Sequence, residues 1–268
     1  MSGTPSPVAV VTGSSSGIGA ATARALAARG TTVVAVARRA SRLDEVLADC
    51  RINAPASRSA VCDLTDLDAA RDLVATALED LGRVDALVCV AGMPMRRRVE
   101  ALSDADVAEV MTLNYLSPVA MTLAALPSML ERQRGTVVLV SSLVGRLGNG
   151  GESAYCASKF ALCGFAESAS VDLAGTGVEV RLILPGPIDT EMWEYPGQDR
   201  AAYEGERFAP ELVADAIVDA LSSKLVEHYV PDLKSIVEMK TADFQAFRDG
   251  MVAALRGEAA VELPQGLA

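Results

Sequence analysis

The chain has 268 residues, half of them apolar and 22% charged, which is enough hydrophobic side chain for a sizeable core and too little charge for extended disorder. Lys plus Arg number 24 against 35 Asp plus Glu, a formal charge of −11 at pH 7 that disfavours a polyanionic partner and sets nucleic acid aside. A single histidine, His228, leaves little from which to build a His-rich metal site or a Ser-His-Asp triad, so no metal is expected.

From Val8 onward, short β-branched runs alternate with longer helical patterns. Strands are expected at Val8–Val11, Thr32–Ala37, Ser59–Cys62, Val84–Val90, Thr136–Val140 and Val178–Leu184, continuously apolar as in a parallel sheet buried on both faces. Between them, Leu67, Ala70, Val74, Leu78 and Leu81 follow helical spacing, and Ser41 with Asp44, Thr65 with Asp68 and Ser103 with Asp106 read as helix starts. Six strand–helix units joined by right-handed crossovers give an α/β fold, a single Rossmann-type doubly wound parallel sheet with helices on both faces. That domain runs from 8 to 231, after a flexible N-terminus at 1–7 and before a C-terminal helical extension and tail at 232–268, loose from Gly257. Residues 191–210 break the rhythm with Pro196, Gly197 and Gly205 while carrying Trp193, Tyr195 and Tyr203, the composition of a mobile lid or a plain surface loop.

Two stretches carry chemistry. The first strand runs into Thr12-Gly13-Ser14-Ser15-Ser16-Gly17-Ile18-Gly19 and then a helix, so glycines fall where the backbone must turn tightly and helix N–H groups face a phosphate. The second strand ends Val36-Ala37-Arg38-Arg39, where a site preferring NAD would place an acid on the ribose 2′-hydroxyl. A guanidinium there pairs with a 2′-phosphate instead, so NADP(H) is preferred over NAD(H), with Arg38 favoured over Arg39. Further on, Tyr155 and Lys159 lie four apart on one helix face, after Ser141-Ser142 at a strand end. A lysine ammonium beside a phenol stabilises the phenolate, which supplies proton chemistry without histidine.

With these residues the chain resembles the classical short-chain dehydrogenases/reductases from about Val8 to Pro231. The likeness lies in T-G-x-x-x-G-x-G at Thr12 to Gly19, Asp63 after the third strand, Ala91-Gly92 after the fourth, and Asn114 in the long helix. It continues with Ser142, Y-x-x-x-K at Tyr155 and Lys159, and the Pro185-Gly186 turn leading to Thr190. The resemblance implies Tyr155 as general acid/base, Lys159 on the nicotinamide ribose, Ser142 on the carbonyl oxygen, and Asn114 holding a relay water. It further implies that Gly13, Ser16, Gly17, Ile18, Gly19, Ala91, Gly92, Pro185 and Gly186 shape the cofactor site. Asp63 and Leu64 would lie at the adenine, and Ile188 and Thr190 at the nicotinamide carboxamide or pyrophosphate. One departure is clear: Cys89-Val90-Ala91-Gly92 stands where the family commonly has Asn-Asn-Ala-Gly.

The expected function is an oxidoreductase that interconverts a carbonyl and a secondary alcohol on a mainly hydrophobic small molecule. The alternative is a non-catalytic NADP(H)-binding sensor on the same fold. Met93, Met95, Leu143, Val144, Leu147, Met192 and Trp193 are candidates for the substrate pocket. Arg96-Arg97-Arg98 is a solvated loop or subunit contact, or a lure for an anionic substrate such as an acyl thioester. The long helices at 105–130 and 153–174 are where the family commonly packs subunits, so a homodimer or homotetramer is expected. Cys50, Cys62, Cys89, Cys156 and Cys163 show no C-x-x-C spacing and read as reduced thiols. With no leader pattern in residues 1–7 and no run approaching the ~20 apolar residues that span a bilayer, a cytoplasmic protein without a membrane partner is expected.

Overall fold

The computed structural model describes residues 6–201 and 203–256, so most of the N-terminal arm and the tail from Gly257 lie outside the described residues. Seven strands, β1 (Val8–Thr12), β2 (Thr32–Ala37), β3 (Arg58–Val61), β4 (Ala86–Cys89), β5 (Gly135–Val140), β6 (Val178–Pro185) and β7 (Glu227–Val230), form one parallel sheet in the order β3-β2-β1-β4-β5-β6-β7. The seventh goes beyond the six expected: the short run at His228–Val230 pairs with the end of β6, Leu182 opposite Glu227. Alternation of side chains across the pleat divides the core into two layers. Val10, Val34, Leu87, Val137 and Leu182 pack under α3 (Leu67–Leu81), α5 (Ser117–Glu131) and α6 (Ser153–Asp172). Their neighbours Val11, Val33, Val88, Val138 and Ile183 pack under α1 (Gly17–Ala28), α2 (Ala40–Asn53) and α7 (Pro210–Ala220). A sheet covered on both faces needs apolar residues at every position, which is why β1 and β2 are buried throughout.

Of the three expected helix starts, Ser103 and Asp106 form a reciprocal capping box before α4 (Asp104–Met111). At α3 the cap is Asp66, which accepts from the N–H groups of Asp68 and Ala69, while Thr65 turns back to Asp63. The α2 helix already begins at Ala40, so Ser41 lies inside its first turn and caps nothing. A π-helical turn, Thr112–Leu116, joins α4 to α5 and carries Asn114 inward. The joined helix, Asp104–Glu131, is long and apolar enough by composition to cross a bilayer, against the expectation that no run approaches that length. Here it lies on the sheet, with Met121, Ala125 and Met129 in the core. Beyond β7 the expected C-terminal extension is a pair of helices, α8 (Lys234–Ala242) and α9 (Phe244–Leu255).

Asp85 fastens the far end of the sheet. Its carboxylate accepts from the Val8 N–H at 2.9 Å, Arg83 at 2.5 Å and Arg132, beyond the end of α5, at 3.2 Å. Burial pushes its pKa up, but the hydrogen bonds from Arg83 and Val8 and the two guanidinium charges outweigh burial and hold it below the usual carboxylate value. This stabilisation is complete above the unfolded value near 3.8 and is lost as pH falls through the lower folded value. Asp85→Asn is therefore expected to cost about 1–3 kcal/mol near neutral pH in urea unfolding, with the gap to wild type closing only in strong acid.

Candidate active site

All the strands point their carboxyl ends the same way, and there a cavity of about 2150 Å³ opens. That exceeds the ~300–1,000 Å³ typical of one drug-sized ligand. At one end lies the turn after β1. Gly13 and Gly17 have φ of +71° and +52°, conformations that L side chains rarely adopt, and a Cβ on Gly19 would sit 2.3 Å from the Gly13 carbonyl oxygen. Ser16 precedes α1 without capping it through its side chain, so the first-turn N–H groups keep their capacity for an anion. Ser16, Ile18, Leu64, Gly92, Pro185, Gly186, Ile188 and Thr190 all line the same cavity, as do the glycines of the turn. These features fit a dinucleotide.

The Cys89-Val90 departure leaves the turn intact, because the turn is held through its backbone. Thr12 Oγ1 accepts from the N–H groups of Val90 at 2.9 Å and Ala91 at 3.0 Å. Burial alone pushes the Cys89 thiol up to about 12, and burial leads in raising Cys156 to about 11, so both are packed, unreactive thiols. At the adenosine end the two arginines part company. Arg38 is exposed at the cavity edge near Asp63, whose carboxyl is held low chiefly by the Thr65 N–H. Arg39 lies over the glycine turn, donating to Ser15 Oγ at 2.9 Å, Ser16 Oγ at 2.8 Å and Glu191 at 2.7 Å.

At the other end α6 presents Tyr155 and Lys159 to the cavity that Ser142 also lines. Lys159 is 3% exposed, its Nζ donates to the Val140 carbonyl at 3.1 Å, and burial pushes its pKa down to about 8. Sequence spacing assigns this ammonium the task of lowering the Tyr155 pKa; in the structure the phenol moves the other way. Burial and then the nearby Glu152 carboxylate push it up, and the Ser142 hydroxyl and Arg96 pull back only in part. Lys159 Nζ stands 5.8 Å from the ring centroid, and the Tyr155 hydroxyl has Met192 Sδ at 3.9 Å. Asn114, 1% exposed, donates to the Met93 carbonyl and to Ser158 Oγ and accepts from the Met93 N–H, which locks the turn after β4 onto α6.

Five of the seven expected pocket residues, Leu143, Val144, Leu147, Met192 and Trp193, do line the cavity. Met93 and Met95 do not: they pack with Val110 and Ala154 in a small cluster, and the extended backbone turns the alternate residues Pro94 and Arg96 to the cavity instead. The arginines of the run are engaged by the protein itself. Arg96 is 5% exposed and donates to the carbonyls of Met192, Trp193 and Asp199, so it fastens the 191–200 segment over Tyr155. Arg97 pairs with Asp106 and Arg98 with Glu100. Sequence spacing alone missed Asn149, Glu152 and the burial of Arg96, while the segment from Asp232 to Arg256, readable as a cover for the substrate pocket or a subunit contact, does line the cavity through α8 and α9. A charge run usually reads as solvated, and these contacts span up to a hundred residues. A signal for Glu152 was available: it stands one helical turn before Tyr155.

Fold, glycine turn and the Ser142–Tyr155–Lys159 face together define a Rossmann-type dinucleotide-binding protein. A family model described as short chain dehydrogenase matches residues 7–201, and the chain belongs to the classical short-chain dehydrogenases/reductases, a family of oxidoreductases. A short chain dehydrogenase of Pseudocercospora fijiensis is 37% identical over 186 residues, 69% of this chain and 60% of that protein, so the match leaves a good part of the relative uncovered. Among solved structures, a short-chain dehydrogenase from Streptomyces avermitilis has a TM-score of 0.80 at 29% identity, covering 95% of this chain and 100% of that one. A metagenomic short-chain oxidoreductase in complex with NADP has a TM-score of 0.70 at 32% identity, covering 84% of this chain and 96% of that one.

The depressed pKa of Lys159 is a statement about stability. Its ammonium is disfavoured in the fold, so the fold bears the full cost below about pH 8 and is relieved as pH rises toward the unfolded value of 10.5. Lys159→Met is expected to raise stability near pH 7 by roughly 1–3 kcal/mol, after allowance for the lost Val140 hydrogen bond, with the gain shrinking by about pH 10. Thermal unfolding of wild type and variant across that range measures it.

Proposed function

We propose that the chain is an NADP(H)-dependent oxidoreductase that interconverts a ketone and a secondary alcohol on a mainly apolar small molecule. The observation that carries this reading is that Ser142, Tyr155 and Lys159 share one cavity with the glycine turn and with Arg38 and Arg39. The cofactor supplies or takes up a hydride at the nicotinamide. The chain's own work is then proton transfer and orientation. Tyr155 gives its phenolic proton to the carbonyl oxygen in reduction and recovers it in oxidation, while the Ser142 hydroxyl holds that oxygen by a hydrogen bond. Lys159 holds a ribose hydroxyl and offers charge to the developing phenolate. Asn114 positions the Gly92–Met93 turn and Ser158.

The cofactor preference rests on guanidinium groups where an acid would favour NAD, and the NADP bound in the metagenomic relative agrees with it. Self-association fits the exposed, heptad-spaced Leu116, at the end of the π-helical turn, and Leu123 and Leu130 of α5, and five buried free thiols fit a reducing, cytoplasmic setting.

NADPH consumption over a panel of aliphatic, aromatic and cyclic ketones tests the chemistry. Tyr155→Phe is expected to lose at least about a hundredfold in kcat with NADPH binding retained. Surviving turnover overturns the role of Tyr155, and tight NADPH binding with no turnover on any ketone favours a sensor. Arg38→Asp and Arg39→Asp are each expected to weaken NADPH by about tenfold or more relative to NADH, since each replaces a phosphate partner with a like charge. Unchanged NADPH/NADH affinity ratios in both would reject the preference.

A further inference from the structure

The substrate end of the cavity has a wall that the family chemistry does not explain. Ile236, Met239, Phe247 and Met251 from α8 and α9 line it, and Ile236 and Phe247 pack against the buried cluster of Leu143, Leu147 and Leu233, just beyond Ser142. An apolar trough therefore runs from Ser142 toward α9, and Met239 is 60% exposed within it, a large apolar side chain left open to whatever lies there.

The arginines at this end have partners in the protein, whereas Glu152 keeps an acceptor oxygen in reserve. The Arg96 guanidinium is engaged by the carbonyls of Met192, Trp193 and Asp199, and Arg200 is paired with Glu204. Glu152 faces the cavity one helical turn from Tyr155, close enough to shift the phenol electrostatically. Among the described residues its carboxylate takes one hydrogen bond, from Asn149 Nδ2 to Oε2 at 2.7 Å, which leaves Oε1 without a protein donor. Glu152 is half-buried, so Oε1 is open to a hydrogen bond from a donor on the ligand. A second negative charge brought to the same place meets repulsion instead.

We infer that the substrate is an elongated, uncharged ketone, or its secondary alcohol, whose apolar body lies along α8 and α9 and whose further hydroxyl, on the Glu152 side of the reacting carbon, donates to Glu152. Anionic carbonyl compounds, including acyl thioesters on phosphate-bearing carriers, are rejected. The inference rests on Tyr155 marking the reacting carbon, as proposed above. Glu152 is then a specificity-determining residue, and the trough sets length.

The test compares three ketones of equal length with NADPH: plain, hydroxylated two or three carbons from the carbonyl, and carrying a carboxylate at that same carbon. Wild type is expected to favour the plain over the carboxylate ketone by about tenfold in kcat/KM, and the hydroxylated over the plain by about fivefold. Taking ratios within one variant cancels any effect of Glu152 on Tyr155 itself. Glu152→Gln is expected to bring the carboxylate penalty below about threefold, and Glu152→Leu to abolish the preference for the hydroxyl. For plain ketones kcat/KM is expected to rise at least about fivefold from six to twelve carbons, and Met251→Asp to flatten that rise. Equal use of plain and carboxylate ketones, ratios unmoved in both Glu152 variants, or a flat length series each overturns the inference. Should Tyr155→Phe keep its turnover, the reading of Tyr155 fails separately. The same discrimination is then read from quenching of Trp193, the one tryptophan, as each compound titrates the NADP(H) complex.

Discussion

The Thr12 hydroxyl, accepting from the backbone N–H groups of Val90 and Ala91, is the contact on which the rest of the site depends. It binds the carboxyl ends of β1 and β4, neighbours in the sheet whose onward connections run to opposite sides, β1 toward β2 and β4 toward β5. A crevice must open where the chain parts in this way. The two turns meet so closely there that a Cβ on Gly13 would lie 3.1 Å from the Ala91 backbone, and one on Gly92 would lie 3.2 Å from Asn114 Oδ1 and 3.5 Å from Lys159 Nζ. Cofactor turn, Asn114 and Lys159 are thus fixed relative to one another by backbone approach. This explains why the fourth-strand turn tolerates Cys89-Val90 in place of two amides. The side chains there are replaceable so long as Thr12 holds the N–H groups.

What the sequence made legible follows from this. Buried parallel strands announce themselves by unbroken apolar runs, and a turn that demands glycine at Gly13, Gly17 and Gly19 leaves its mark in the letters; both the sheet and the cofactor end were readable. The seventh strand was half-hidden because His228 and Tyr229 are only partly buried at an edge, where the apolar signal weakens. Met93 and Met95 misled because a methionine fills core and pocket alike, and only the alternation of the extended chain decides which. Arg96 misled more deeply. A run of three arginines looks solvated, and nothing local foretells that one will be buried against carbonyls a hundred positions away.

That burial has a consequence for the 191–200 segment. The segment is held at one end by Glu191 on Arg39 and Arg42, in the middle by Arg96, and through Trp193, whose Nε1 donates to Ile188 and whose ring carries the Arg207 guanidinium 4.4 Å above it. A carboxylate thus sits on Arg39, a cation proposed above to meet a cofactor phosphate. The cover over Tyr155 and the adenosine end are therefore mechanically joined, so a ligand that engages Arg39 acts also on the wall that places Met192 against the phenol.

For the reaction proposed above, the electrostatics of the pair on α6 fit one direction better than the other. Burial acts on both groups toward neutrality, raising the phenol and lowering the ammonium to about 8. A protonated phenol is what carbonyl reduction requires, since the oxygen that gains the hydride's electrons must also gain a proton. Oxidation requires the phenolate, and with Lys159 tending to neutrality and Glu152 nearby, the protein alone does little to form it. The same burial that costs the fold stability at Lys159 therefore keeps Tyr155 an acid, and a positive charge brought near the phenol is what would turn it into a base.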